Sequence, residues 1–295
     1  MSLSKADQDG KEINDIRAGL QMAVQNSFRL MVSLFLILMA GIIVFPIYII
    51  FLTAARPSEE IFSDPLSLPS EVSIQNFTYA WFEAGISQYF LNSVIVVVTS
   101  LSVMLLICSL AAYAFVRFEF TAKQYVFYFI LAGFAIPPQI ILIPEFLIMN
   151  ELGLLNQYLG LIIVYVTFGI PISVFFIRQY LITLPDSYAE AARLDGCSEF
   201  QIFSRIYMPM SLPALSAVGV VQFVWLWNEF LYAILFMTSD DTRTITAGLI
   251  HFTGDFITDW GGLAGAIFIA ILPTIIVFYA FRNQFIRGFS MGRVE

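Results

Sequence analysis

Of the 295 residues, 59% are hydrophobic and 12% are charged, about half the ~25% charge of a soluble domain, so much of the apolar surface needs lipid as its solvent. The net charge of -8 argues against a nucleic-acid partner. A single histidine, His251, excludes multi-histidine metal centres, and the three lysines (Lys5, Lys11, Lys123) close no GxxxxGK phosphate loop, so neither ATP hydrolysis nor a directly bound cofactor is expected of this chain.

Residues 1–28 are polar and lack proline. Ile13, Ile16, Leu20 and Val24 recur at helical spacing, which fits a short amphipathic helix at a membrane surface or a frayed tail. Beyond them, charge-free runs cover 30–55, 84–116, 124–144, 152–177, 206–228 and 260–281. Each is long enough for a membrane helix, which needs about 20 mainly apolar residues. They predict an all-α polytopic membrane protein with spans at about 30–53, 90–116, 124–147, 156–178, 211–237 and 261–282, all within a transmembrane domain 29–295. The first run begins too late and is too long for a cleavable signal peptide.

With the N-terminus inside, 12 of the 14 basic residues fall on the inner side, leaving only Arg56 and Arg243 outside. Both termini are therefore expected to be cytoplasmic. The acids Glu59, Glu60, Asp64, Glu71, Glu83, Glu151, Asp240, Asp241, Asp255 and Asp259 make the outer side acidic, either as a solvated face or as a landing surface for a partner.

The first outer loop, 56–83, carries turn-forming Pro57, Pro65 and Pro69, and its aromatic stretch Ile74–Phe82 suits the membrane interface. Pro46, Pro137–Pro138, Pro144, Pro171 and Pro273 are expected to kink their spans. Cys108 lies in an apolar run and Cys197 beside Gly196, which predicts no disulfide framework.

The longest inner loop, 178–211, spells two helices. Ser187 with Glu190 reads as a capping box, Ala189, Ala191, Ala192 and Leu194 favour helix, and Gly196 is placed to end it in a left-handed conformation. Ser198 with Gln201 opens the second helix, which should carry Phe200, Phe203 and Tyr207 on one face until Pro209 and Pro213 stop it. A short helix with a small-residue face, held by Gly and two Pro, is stiff and open to close approach by another surface.

Glu190-Ala191-Ala192, three residues, Gly196, nine residues, Ile206, one residue, then Met208-Pro209 resembles the EAA loop of binding-protein-dependent ABC importer permeases, with Met208 where that family has Leu. Asn92-Ser93, Ala111–Phe115 with Arg117-Phe118, and Trp227-Asn228-Glu229-Phe230 resemble the carbohydrate-uptake branch, in particular its smaller six-span permease. The tail Arg287–Gly292 is similar to that branch's C-terminus, although Arg293-Val294-Glu295 departs from it.

The resemblance implies that Glu190, Ala191, Ala192, Gly196, Ile206 and Pro209 couple to an ATP-binding subunit. It also implies a heterodimer with a second permease subunit, two ATP-binding subunits that use the ATP, an extracytoplasmic solute-binding protein and a carbohydrate substrate.

Glu229 is an ionisable group within a span, which either faces the bundle interior or lies in an outer aromatic belt. Trp225, Trp227, Asn228 and Tyr232 on the same span would supply sugar hydrogen bonds and aromatic platforms. Gln139 and Glu145, beside the prolines of the third span, are a second set of path residues, or else mark a helix break. An ion-coupled carrier or channel relaying protons through Glu145 and Glu229 is the competing reading, but it gives no reason for the EAA pattern. A membrane enzyme ranks last, because one histidine supports no catalytic constellation.

Overall fold

The computed structural model describes residues 3–62, 67–253 and 258–290, of which 3–24, 58 and 283–290 are described as backbone only. The side chains of the expected amphipathic face (Ile13, Ile16, Leu20, Val24) and the tail motif Arg287–Gly292 with Arg293-Val294-Glu295 lie outside the described residues.

The long helices follow the apolar runs. They are α1 (Leu3–Ala54), α2 (Ile86–Arg117), α3 (Lys123–Ala132), α4 (Pro138–Glu151) and α5 (Tyr158–Ile182). The loop helices α6 (Ser187–Leu194) and α7 (Glu199–Ile202) follow, then α8 (Leu212–Trp227), α9 (Leu231–Phe236) and α10 (Trp260–Ser290). No strand forms among the described residues, apart from an isolated bridge between Thr253 and Thr258.

Four helical stretches are long and apolar enough to cross a membrane unbroken: Gln25–Ala54, Ile86–Arg117, Tyr158–Ile182 and Trp260–Arg282. Two further candidates are bent, by 97° between Lys123–Ala135 and Pro138–Glu151 and by 69° between Glu199–Met210 and Leu212–Trp227. Counting each bent pair as one crossing gives six.

The expected third and fifth spans, 124–147 and 211–237, are not continuous helices: the third is broken before Pro138, and the fifth starts at the 69° bend and is interrupted between Trp227 and Leu231. Ile136 is extended (φ -89°, ψ 112°) because the pyrrolidine of Pro137 excludes the residue before it from helical space, and Pro138 then starts α4. Pro46, Pro144, Pro171 and Pro273 lie inside unbroken helices, so the break belongs to the Pro137–Pro138 pair.

The centre of the bundle is the α2–α5 pair, the most extensive helix contact in the chain. The Met104 side chain lies directly over Gly169, where a β-carbon would sit 1.9 Å from its sulfur. Beside it the buried Gln222 of α8 donates from Nε2 to the Gly169 carbonyl (3.3 Å) and the Ser173 hydroxyl (3.1 Å), which ties α8 to the same seam. Helix α10 packs on α8 and α1, while no residue in the most apolar window of α1 is buried in the single chain.

The aromatic stretch Ile74–Phe82 forms a helical segment against α10. Its buried Asn76 donates from Nδ2 to the carbonyls of Ala54 (3.1 Å) and Arg56 (2.8 Å), closing the end of α1.

Candidate functional site

The loop between α5 and α8 is braced from within. The expected Ser187–Glu190 capping box does not form. Asp186 is the N-cap, and its carbonyl accepts from the backbone N–H groups of Ala189 (3.0 Å) and Glu190 (3.1 Å). Its carboxylate is engaged by Arg117 at the end of α2, and the Glu190 side chain is exposed and makes no cap on its own helix.

At the other end of α6, Gly196 has φ +81°, and the N–H groups of Gly196 and Cys197 return to the carbonyls of Arg193 (3.0 Å) and Ala192 (2.9 Å). That is a Schellman termination, which a residue with a β-carbon adopts only with strain. The Ser198–Gln201 box does form: Ser198 Oγ accepts from the Gln201 N–H, and Gln201 Oε1 accepts from the Ser198 N–H (2.8 Å).

Two details of the second helix differ from expectation. Phe203 and Tyr207 are buried on either side of a wide i→i+5 turn, but Phe200, ahead of it, is 70% exposed. Pro209 does not stop the helix, since Met208–Met210 continues it. The bend comes at buried Ser211, whose hydroxyl donates towards the carbonyls of Tyr207 (2.7 Å) and Met208 (3.0 Å).

The loop is seated on the C-terminal end of α2. The Tyr113 hydroxyl donates to Glu199 Oε2 (2.9 Å), and its ring lies 5.3 Å from Phe203 and 5.2 Å from Tyr207. Arg193 donates from Nε to Glu199 Oε1 (2.7 Å), and this bond and charge hold Arg193 above the ordinary guanidinium range. Arg117 lies 5.6 Å over the Tyr207 ring.

On that frame Ala189 and Ala192 are buried, whereas Glu190, Ala191 and Gly196 face out with Tyr188 and with Leu194, which is 89% exposed. Ala192 therefore seats α6 rather than meeting anything outside. Ile206 is half-buried and Pro209 exposed. Tyr188 and Leu194 are thus large apolar side chains left exposed on a polar loop.

At the opposite end of the bundle, Asn92 is fully buried and fully satisfied. Its Nδ2 donates to the carbonyls of Asp241 (2.9 Å) and Arg243 (2.8 Å), and its Oδ1 accepts from Tyr158 Oη (2.7 Å) and Gln88 Nε2 (2.9 Å). Ser93 Oγ accepts from the Ile245 N–H (2.8 Å). The Asn92-Ser93 pair thus fixes the segment 239–245.

The carboxylates within the bundle meet aromatic partners. Glu229 accepts from Tyr165 Oη (2.7 Å) and from the backbone N–H groups of Tyr232 (2.9 Å) and Ala233 (3.1 Å), which closes the start of α9 after the break in α8. Tyr232 Oη donates to Glu145 of α4 (2.7 Å), and its ring is 5.4 Å from Phe168. The 41%-exposed Trp225 lies edge-on to Tyr165 (6.3 Å).

Glu145, Trp225, Glu229 and Tyr232 are therefore brought together, with Tyr165 and Phe168 joining them from α5. Trp227 is not part of this cluster: it is buried, stacks on Phe223 (5.5 Å) and donates from Nε1 to the Ala270 carbonyl of α10 (2.9 Å). Asn228 is exposed and bonds back to the Val224 carbonyl (2.7 Å), and Gln139 is exposed in the first turn of α4. No group of three or more His, Cys, Asp or Glu residues is placed to hold a metal among the described residues.

Residues 104–291 match the family described as binding-protein-dependent transport system inner membrane component. The chain belongs to this family. It is a multi-pass permease that works with other transporter subunits.

The permease is 40% identical to the probable ABC transporter permease protein YurM of Bacillus subtilis, over 90% of this chain and 87% of that one. It is 34% identical to the diacetylchitobiose uptake system permease protein NgcG of Streptomyces coelicolor (87% and 86% covered). It is also 34% identical to the arabinooligosaccharides transport system permease protein AraQ of Halalkalibacterium halodurans (87% and 92% covered). A solved chain of a bacterial ABC transporter involved in the import of the acidic polysaccharide alginate shares the fold at a TM-score of 0.78 and 20% identity, covering 88% of this permease and 96% of that chain.

Sequence reasoning missed Tyr113 and Glu199 as the loop's anchor and Tyr165 and Phe168 as neighbours of the carboxylates. The only signal for Tyr113 was its place in the Ala111–Phe115 stretch.

Proposed function

We propose that this permease is one of two membrane subunits of an ATP-driven importer for an oligosaccharide-class sugar, and that it receives the motion of a separate ATPase through the loop 183–211. Relatives named for diacetylchitobiose and arabinooligosaccharide uptake support the sugar class. The observation that carries the coupling role is the braced helix α6, which presents Glu190, Ala191 and Leu194 outward on a frame locked to α2 by Arg117, Tyr113 and Glu199.

A rigid body pinned to the end of a long helix transmits displacement, and a partner shifts the equilibrium between states by its differential affinity for them. The chain crosses six times with both termini cytoplasmic, each bent pair counting once, since 12 of 14 basic residues then lie inside. A second permease covers the exposed faces, two ATP-binding subunits bind and use the ATP, and a solute receptor docks outside.

Within the path Trp225 offers an aromatic face to the sugar and Glu145 a hydroxyl acceptor, while Glu229 and Tyr232 hold them in place. No cofactor binds this chain directly.

The test is receptor-stimulated ATP hydrolysis by the assembled transporter in lipid nanodiscs, with Glu190→Ala and Gly196→Pro. Proline cannot adopt φ +81° and removes the N–H that bonds Arg193, so Gly196→Pro undoes the termination of α6. Assembly retained with stimulation lost in both variants is the expected outcome. Full stimulation in both sinks the coupling role, and solute flux by this chain without any ATPase favours a carrier.

A further inference from the structure

We propose that the groove between α3 and α5, at the end of the bundle near the braced loop, binds the phosphate of an anionic phospholipid. The groove encloses about 470 Å³ and is lined by Arg178 and Lys123, by the aromatic rings of Phe115, Phe127 and Tyr128, and by the carboxylate of Glu119.

Arg178 is the reason to expect a ligand. Its guanidinium lies 4.4 Å over the Phe127 ring, its Nε is buried without an acceptor, and among the described residues no carboxylate lies within ion-pair distance of it. A guanidinium partly withdrawn from water and left without an anion is costly, and its planar fork matches two phosphate oxygens.

Lys123 faces the same space. Among the described residues its one carboxylate partner is Glu119 at 2.8 Å, whose side chain is 89% exposed, so the pair is loosely held in water and open to exchange. The first turn of α3, which forms one wall, carries no side-chain cap.

Lipid rather than soluble phosphate is favoured by the rim. Tyr125, Tyr128 and Phe129 are 80%, 57% and 82% exposed on a membrane-crossing element, so aromatic rings stand where a headgroup region would lie and offer a surface for acyl chains. A diester phosphate on Arg178 and Lys123 supplies the guanidinium with the anion it lacks, replaces Glu119 as the partner of Lys123, and leaves the lipid tails against these rings.

The test is native mass spectrometry of the assembled transporter titrated with phosphatidylglycerol, phosphatidylcholine and, separately, inorganic phosphate. The wild type retains phosphatidylglycerol over phosphatidylcholine, and Arg178→Gln weakens that retention about tenfold, as loss of one charge-assisted fork does. Arg178→Lys, which keeps the charge and the fold, loses less. Glu119→Gln, which frees Lys123, strengthens retention.

Equal retention of the two lipids by the wild type, or an unchanged preference in Arg178→Gln, overturns the site. Displacement of phosphatidylglycerol by inorganic phosphate at equal concentration overturns the lipid as its source. Should Arg178→Gln fail to assemble, Glu119→Gln and Lys123→Gln decide, because the site requires them to move retention in opposite directions.

Discussion

Replacing Ala191 by tryptophan abolishes receptor-stimulated ATP hydrolysis, with a loss of about a hundredfold, while the permease still folds and assembles. Ala191 is exposed on α6 between Glu190 and the buried Ala192, so the indole has room in the isolated chain. It fills only the space that a docked partner occupies. Overfilling a packed contact costs about 1–3 kcal/mol, and each 1.4 kcal/mol is tenfold in affinity, which sets the expected loss.

Two controls separate docking from folding. Ala191→Ser keeps the close approach and retains stimulation. Ala192→Trp points into the bundle and lowers the melting temperature as well as activity. ATPase rates and thermal melting measured side by side on the three variants distinguish these outcomes. Normal stimulation in Ala191→Trp would place the docking surface elsewhere.

Gly169→Val has the largest expected effect on stability. A β-carbon at Gly169 would sit 1.9 Å from the sulfur of Met104 and 3.4 Å from Gln222 Nε2. Met104 is fully buried, and Gln222 is bonded to the Gly169 carbonyl itself, so neither neighbour has free space to enter. Either the buried Met104 side chain changes rotamer or helices α2 and α5 part, at a cost of about 1–3 kcal/mol, the range for core overpacking.

Gly41→Val is the matched control, since nothing lies within 4 Å of a β-carbon there in the single chain. Thermal unfolding in detergent should show a large drop for Gly169→Val and little change for Gly41→Val. Adding Met104→Ala to Gly169→Val should recover part of the loss, because the two residues share one space. Additive losses in the double variant would contradict the proposed contact.

The sequence was most readable where a single physical rule acts alone. Charge-free runs coincide with the four unbroken apolar helices and with the two bent pairs, because lipid tolerates few charges whatever the tertiary structure. The Gly196 termination and the Ser198–Gln201 box were likewise local, and both are present.

What could not be read depended on residues distant in the chain. Ser187–Glu190 carries the same box pattern as Ser198–Gln201, yet the box is absent, while Arg117, 69 positions before Asp186, holds that N-cap's carboxylate. The bend at Pro137–Pro138 occurs in a segment expected to kink, but the bend at Ser211 occurs with Pro209 and Pro213 on either side, accompanied by a hydroxyl bonding back to its own helix.

Glu229 shows the same limit. An acid within an apolar span marks an important position, but its bonds to the Tyr232 and Ala233 N–H groups arise from the break in α8. Tyr165 and Phe168 were invisible as site residues, because within an apolar run a ring facing a carboxylate looks the same as a ring facing lipid.

Labelling of a single cysteine at Leu194 tests the central claim most directly. Leu194 is 89% exposed at the outward end of α6, Cys108 is buried, and Cys197 can be replaced by serine to leave one reactive thiol on the loop. Leu194→Cys in that background is treated with a membrane-impermeant maleimide, in intact cells and in inverted vesicles, with and without the ATP-binding subunits. The coupling account predicts labelling only from the inner side, and protection once the ATP-binding subunits are bound. Labelling from the outside, or equal labelling with and without those subunits, would contradict it.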